Sequence, residues 1–167
     1  MKAIFRASMV AAALVLAAGA PTYVQQAFAD SRAMVLPVEK TPLIAKTAGG
    51  DRSFTIEIAD EPLEQQRGLM FRETMADDHG MLFDMGVTRP TGFWMENTPM
   101  PLDLLFIGDD GIVKAILPGQ PFSRATISPG VPVRFVLELK RGMSEKYGIK
   151  PGDRLQHPAI DAVAVSK

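Results

Sequence analysis

Pro99 and Pro101 stand two residues apart in the stretch FWMENTPMPLDLLFI, residues 93–107, and together they dictate the local backbone. Each proline fixes its own φ and pushes the residue before it toward extended conformation, so no helix can run through this segment. The six residues that follow, Leu102–Ile107, are apolar apart from Asp103, which is the length and composition of a strand. The pattern predicts a strand over 91–96, a proline-locked corner, and a second strand over 102–107. A corner of this kind commits its neighbours to a sheet.

The rest of the chain agrees. SFTIEIA alternates, with Phe54, Ile56 and Ile58 on one face and Thr55 and Glu57 on the other. The period changes at 60–72, where Pro62 and Glu64 suit a first helical turn and Gly68 a left-handed stop, giving one short helix over 62–67. GMLFDMG (80–86) reads as a strand. GDDG (108–111) joins the 102–107 strand to IVKAILPG as a hairpin, and VRFVLELK (133–140) alternates again. GMSEKYG allows one helical turn with Ser144 as cap and Gly148 as stop. KPGD (150–153) is a type II turn signal before a short strand, RLQH. Many short strands and one or two short helices predict a mainly β domain, compact and either sandwich-like, jelly-roll-like or barrel-like.

The N-terminus is of another kind. Lys2 and Arg6 precede an apolar run from Met9 to Ala20, and Ala27-Phe28-Ala29 presents small residues where a signal peptidase cuts. That run falls short of the roughly 20 residues a membrane-spanning helix needs. The expected organisation is a signal peptide over 1–29, an extended leader over 30–50 with short extended pieces at 34–39 and 43–47, one domain over 51–160, and a tail over 161–167. Export to the periplasm or beyond follows, with no membrane insertion after cleavage. Without Lys2 and Arg6 the mature chain has 16 basic against 19 acidic residues, so no cationic surface argues for nucleic acid or a membrane. With no cysteine in an oxidising compartment there is no disulfide framework, and stability must come from packing. Oligomeric state is not legible at this level.

RGLMFR (67–72), GMLFDM (80–85), FWMENTPMPLDLLFI (93–107), LELKRG (137–142) and GIKPGD (148–153) follow in an order and spacing that closely resemble Domain of Unknown Function family 192. The resemblance spans about residues 52–158. It implies a compact β-rich domain often found behind a signal peptide, and it implies no activity. Glu96 stands where the family often has lysine, and Glu61 where it often has a capping threonine.

Asp103 is the most informative ionisable residue, because alternation sets it between apolar residues on a strand apolar on both faces. A buried carboxylate needs partners. Arg67 and Arg72, with Asn97 or Thr98 supplying hydrogen bonds, are the expected ones, and a structural ion pair is the favoured reading. A catalytic reading would pair Asp103 with Glu138 or Glu57 for acid/base chemistry on an envelope saccharide, although Glu138, flanked by Arg134 and Lys140, reads as solvated. The only histidines, His79 and His157, show no zinc-ligand spacing, and no serine sits in a nucleophile elbow.

Methionines are dense between Met70 and Met100. Thioethers are soft ligands for Cu(I), which makes Met70, Met81 and Met95 metal candidates, but scattered spacing favours their use as adaptable core filler. Trp94, with Glu96, Asn97, Thr98 and an arginine nearby, forms an aromatic–polar surface suited to a sugar or small polar ligand; the alternative is a core tryptophan beside a turn. The leading expectation is a non-enzymatic binding or accessory module without cofactor, contacting its ligand through Arg67, Arg72, Trp94, Asn97, Thr98 and Asp103. An acid/base enzyme and a methionine copper site are the alternatives.

Overall fold

The computed structural model describes residues 31–164; the expected signal peptide and the last three residues lie outside that range. Seven strands form one sheet: β1 Leu43–Thr47, β2 Gly50–Ala59, β3 His79–Arg89, β4 Leu102–Ile107, β5 Val113–Gly119, β6 Val133–Lys140 and β7 Arg154–Gln156. Their order across the sheet is β5-β4-β6-β3-β2-β1-β7. Neighbours are antiparallel except β2 and β3, which run parallel. That pair needs a crossover, and helix α1, Pro62–Arg67, supplies it. Two further short helices are α2, Met143–Lys146, and α3, Pro158–Ala164.

The sheet curls until its two edges meet. Ile112, just before β5, bridges Arg154 of β7, the Val113 N–H donates to the Asp153 carbonyl (2.9 Å), and the Leu155 N–H donates to the Gly111 carbonyl (2.8 Å). Hydrogen bonds that join opposite edge strands make a partial barrel and blunt both edges. The barrel-like form of the expected fold is therefore the one adopted.

Each face of the curled sheet carries its own apolar layer. The inner layer holds Phe54, Ile56, Leu82, Leu105, Phe135 and Leu137, closed by Ile149 and Ile160. The outer layer holds Met81, Phe83, Leu102, Leu104, Phe106 and Val136, and is covered by segments containing Leu36, Leu69, Phe93, Met95 and Met100. This double burial is why β4 is buried at all six positions.

Several sequence boundaries shift. Residues 43–47 are a sheet strand paired on both sides, by β2 and β7, rather than part of a leader. Residues 91–96 form no strand; their β pairing is one isolated bridge, Phe93 to Ile127, supported by the Met95 N–H on the Ser123 carbonyl (2.8 Å). The alternation there survives nonetheless, with Met95 fully buried, Phe93 packed against the outer layer and Trp94 48% exposed. Helix α3 straddles the expected end of the domain at 160: its Ile160 plugs the inner layer, and its last residues come from the expected tail. α1 has the bounds expected of it. Glu64 accepts the Glu61 N–H at 3.2 Å, and Gly68, at φ 45°, ends the helix with its N–H on the Glu64 carbonyl.

Candidate functional site

The expected partners of Asp103 are elsewhere. Its Oδ2 accepts the Gly142 N–H (3.0 Å), the Ser144 N–H (3.1 Å) and the Ser144 hydroxyl (2.5 Å), while Arg141 lies 3.5 Å from Oδ1. Asp103 thus caps α2 from a distant strand, satisfying N–H groups that a helix start leaves open. Ser144, expected as the cap, lies inside the helix and donates to the real one. Neither Arg67 nor Arg72 takes part, which corrects the expected ion pair.

Arg72 binds Glu57 instead. Its two terminal nitrogens reach the carboxylate at 2.5 and 2.9 Å, and one also donates to the Met34 carbonyl at 2.5 Å. Glu57 is buried and also accepts the Leu36 N–H (2.8 Å), with His79 Nε2 2.9 Å away. Burial alone would raise the Glu57 carboxyl, but hydrogen bonds from Arg72, Leu36 and His79 and the Arg72 charge more than offset it and hold it below its ordinary range. The network fastens residues 34–36 over β2. It is a structural clasp, and it takes Arg72 and Glu57 out of any candidate site.

Glu138 is the carboxylate the sequence misplaced. On β6 it lies opposite Met81 of β3 and Leu104 of β4, within the outer apolar layer. Arg134 and Lys140 near the strand ends pair with Asp84 and Asp77, so the strand is solvated at its ends and dry between them. Glu138 is 4% exposed and makes no hydrogen bond or ion pair among the described residues. Burial alone pushes its carboxyl up to about 8, with no counter-charge to offset it.

This carboxyl lines a small cavity of about 30 Å³ whose walls include Gly68, Met70, Phe83, Phe93, Trp94 and Thr98. Gly68 is required at this wall, because it combines a positive φ with a Cβ position only 3.0 Å from the Phe83 ring. Gln65, Gln66, Phe93 and Trp94 are shared with an adjoining groove of about 380 Å³ that continues past Met85, Arg89 and Thr91. The Gln65 amide nitrogen donates to the Asp84 carbonyl at 2.7 Å, fixing α1 against β3 at the groove edge. Trp94 therefore stands where an open groove meets a small cavity lined by a carboxyl with no hydrogen-bond partner among the described residues.

The turn that presents Trp94 is strained. The Thr98 N–H donates to the Met95 carbonyl (3.0 Å), and Asn97 at the third turn position has φ 54°, which asparagine tolerates. Its carbonyl accepts the Phe71 N–H (2.7 Å), and the Thr98 carbonyl accepts the Phe122 N–H (3.1 Å). Phe71 and Phe122 themselves have φ 61° and 60°, so the described positive-φ residues other than glycine are the three joined at this turn. Backbone strain of this kind gathers where a fold positions a site.

Of the residues expected at a ligand site, Arg67, Trp94 and Thr98 line the cavity, Asn97 shapes the turn, and Arg72 and Asp103 lie elsewhere. Arg67 also donates to the Arg32 carbonyl at 2.5 Å. Met81 and Met95 fill the outer layer, whereas Met70 faces the cavity. Gln65, Gln66 and Arg89 were missed, since only the meeting of α1, the end of β3 and the 93–98 segment reveals them. Among the described residues no helix is long and apolar enough to cross a membrane, and no group of three or more His, Cys, Asp or Glu side chains is placed to hold a metal.

The model of the DUF192 family, described as uncharacterized ACR, matches residues 43–157. A crystal structure from Sinorhizobium meliloti 1021, described as a "putative transcription regulator", is 44% identical with a TM-score of 0.69, covering 74% of this chain and 97% of that one. A protein of unknown function from Novosphingobium aromaticivorans DSM 12444 is 34% identical, also at a TM-score of 0.69, covering 73% of this chain and 86% of that one. No curated protein matches.

Proposed function

The chain belongs to the DUF192 family of uncharacterized proteins, and from that premise we propose that it is an exported, non-enzymatic binding module for a small polar or saccharide-like ligand of the cell envelope. The observation that carries this reading is Trp94, which lies 48% exposed along a groove with the Gln65 and Gln66 amides and the Arg89 guanidinium. An indole face flanked by amide and guanidinium groups is a common way of holding a polar ring. The N-terminal charge, apolar run and Ala27-Phe28-Ala29 support export.

A DNA-reading role, which the description of the Sinorhizobium protein brings to mind, would call for a cationic surface. Sixteen basic against nineteen acidic residues beyond position 29 do not favour one. Acid/base catalysis by Asp103 with Glu138 is disfavoured because the two carboxyl groups leave opposite faces of the sheet.

The test is thermal unfolding of the protein with glucose, glucosamine and N-acetylglucosamine. A ligand that binds the folded state raises the melting temperature as its concentration exceeds Kd. At least one of the three should do so, and Trp94→Ala, compared with its own ligand-free melt, should lose the shift. A shift that survives Trp94→Ala places the ligand elsewhere.

A further inference from the structure

We propose that the cavity beneath Trp94 is a subsite for a primary ammonium group, so that the ligand is an amine-bearing polar molecule such as an amino sugar, with Glu138 its counter-ion. The inference rests on the groove reading above and narrows the ligand class. Three features of the cavity carry it.

The first is size. About 30 Å³ is close to the space of one water molecule, so a single small polar group fits and a sugar ring does not. The second is chemistry. The rings of Phe83, Phe93 and Trp94 and the thioether of Met70 share the lining with one carboxyl group. Aromatic rings and a carboxylate together are the environment in which a cation is held. The third is the unmet demand of Glu138. Among the described residues it has no hydrogen-bond partner at 4% exposure, so nothing in the fold repays its burial. A ligand ammonium would supply both the charge and the donors.

The groups around Glu138 are few. Met81 and Leu104 flank it from the neighbouring strands, and Trp94 and Thr98 reach the cavity from the 93–98 segment. Arg67, at the end of α1, is the one other charged side chain of the lining, and it donates to the Arg32 carbonyl. With its carboxyl raised to about 8, Glu138 is mostly protonated at pH 7 before a ligand binds. Capture of an ammonium ion then leaves Glu138 ionised and returns its proton to solvent. Binding at pH 7 is accordingly coupled to a net release of protons, up to one per ligand.

Calorimetric titration of the full chain at pH 7, in phosphate and in Tris, reads this directly, because the difference in heat between the buffers gives the protons released. Glucosamine should bind at least about tenfold tighter than glucose or N-acetylglucosamine, with a net release of protons. Glu138→Gln should abolish both the preference and the release. If glucose or N-acetylglucosamine binds as tightly as glucosamine, or glucosamine binds without proton release, the ammonium subsite is overturned while the groove stands. If none of the three sugars binds, the groove reading falls and the subsite with it. The wild-type proton count decides even where the variant folds poorly.

Discussion

Asp103 and Glu138 lie on adjacent strands one register step apart and point to opposite faces of the same sheet. Asp103 of β4 is paired with Leu139 of β6, and Leu104 with Glu138. Side chains alternate along a strand, so one carboxyl enters the rim of the inner layer and the other the outer layer. The first is saturated with donors and the second has none among the described residues. Their roles separate accordingly, one holding a loop and the other facing a cavity.

Asp103→Ala should destabilise the protein by about 2–4 kcal/mol, because it leaves the Gly142 and Ser144 N–H groups without their acceptor. Urea unfolding at pH 7 measures this. Any ligand affinity should be unchanged at temperatures where the variant is folded, since the groove lies on the other face.

Glu138→Gln should stabilise, and the gain should depend on pH. The folded carboxyl titrates near 8 and the unfolded one near its ordinary 4.5, so the unfolded state gives up its proton first as pH rises. Folded-state stability is therefore untouched below about pH 4, falls through the window from 4.5 to 8, and levels off above it. Each pH unit between the folded and unfolded values is worth about 1.4 kcal/mol, so the wild-type penalty above pH 8 is of order a few kcal/mol. Melting curves from pH 4 to 9 should show wild type and Glu138→Gln together at the acid end and separated at the alkaline end.

Breaking the clasp should cost more than removing it. Arg72→Met strands the Glu57 carboxylate beneath residues 34–36, a loss of about 3–5 kcal/mol. The double variant with Glu57→Gln should recover part of that in a double-mutant cycle. Because Glu57 is held below its ordinary range when folded, its stabilisation is present above about pH 4.5 and disappears as pH falls through the depressed folded value. Arg72→Met should also speed proteolysis within 32–38, whose hydrogen bonds to Glu57 and Arg72 hold it down.

Phe122→Gly should be neutral or stabilising by up to about 1 kcal/mol. The side chain is 64% exposed and the backbone sits at φ 60°, where glycine carries no steric penalty. Equilibrium unfolding of the variant against wild type reads the sign.

Much of this molecule was legible residue by residue. Pro99 and Pro101 announced the corner before β4, Pro62 and Gly68 bounded α1, and alternation around Asp103 declared it buried. What escaped were covering layers made by distant sequence. Glu57 and Glu138 alternate as solvent-facing residues should, and each is sealed by segments, 34–36 and 67–98, whose contacts no local period encodes. Seven residues with one buried apolar side chain, Ile160, gave α3 too weak a pattern to be read as a helix, and the expected domain end at 160 cuts through it. The groove joins Gln65, Arg89 and Trp94 from three separate stretches, and only folding brings them together.

Trp94 is the chain's only tryptophan, so the protein's indole emission comes from this one side chain, where the groove meets the cavity. Titration of the wild-type protein at pH 7 with glucose, N-acetylglucosamine and glucosamine, followed at the indole emission, is the direct test of a ligand site at this residue. The account predicts a saturable change in intensity or wavelength, strongest with glucosamine. An emission spectrum unmoved by all three sugars would contradict it.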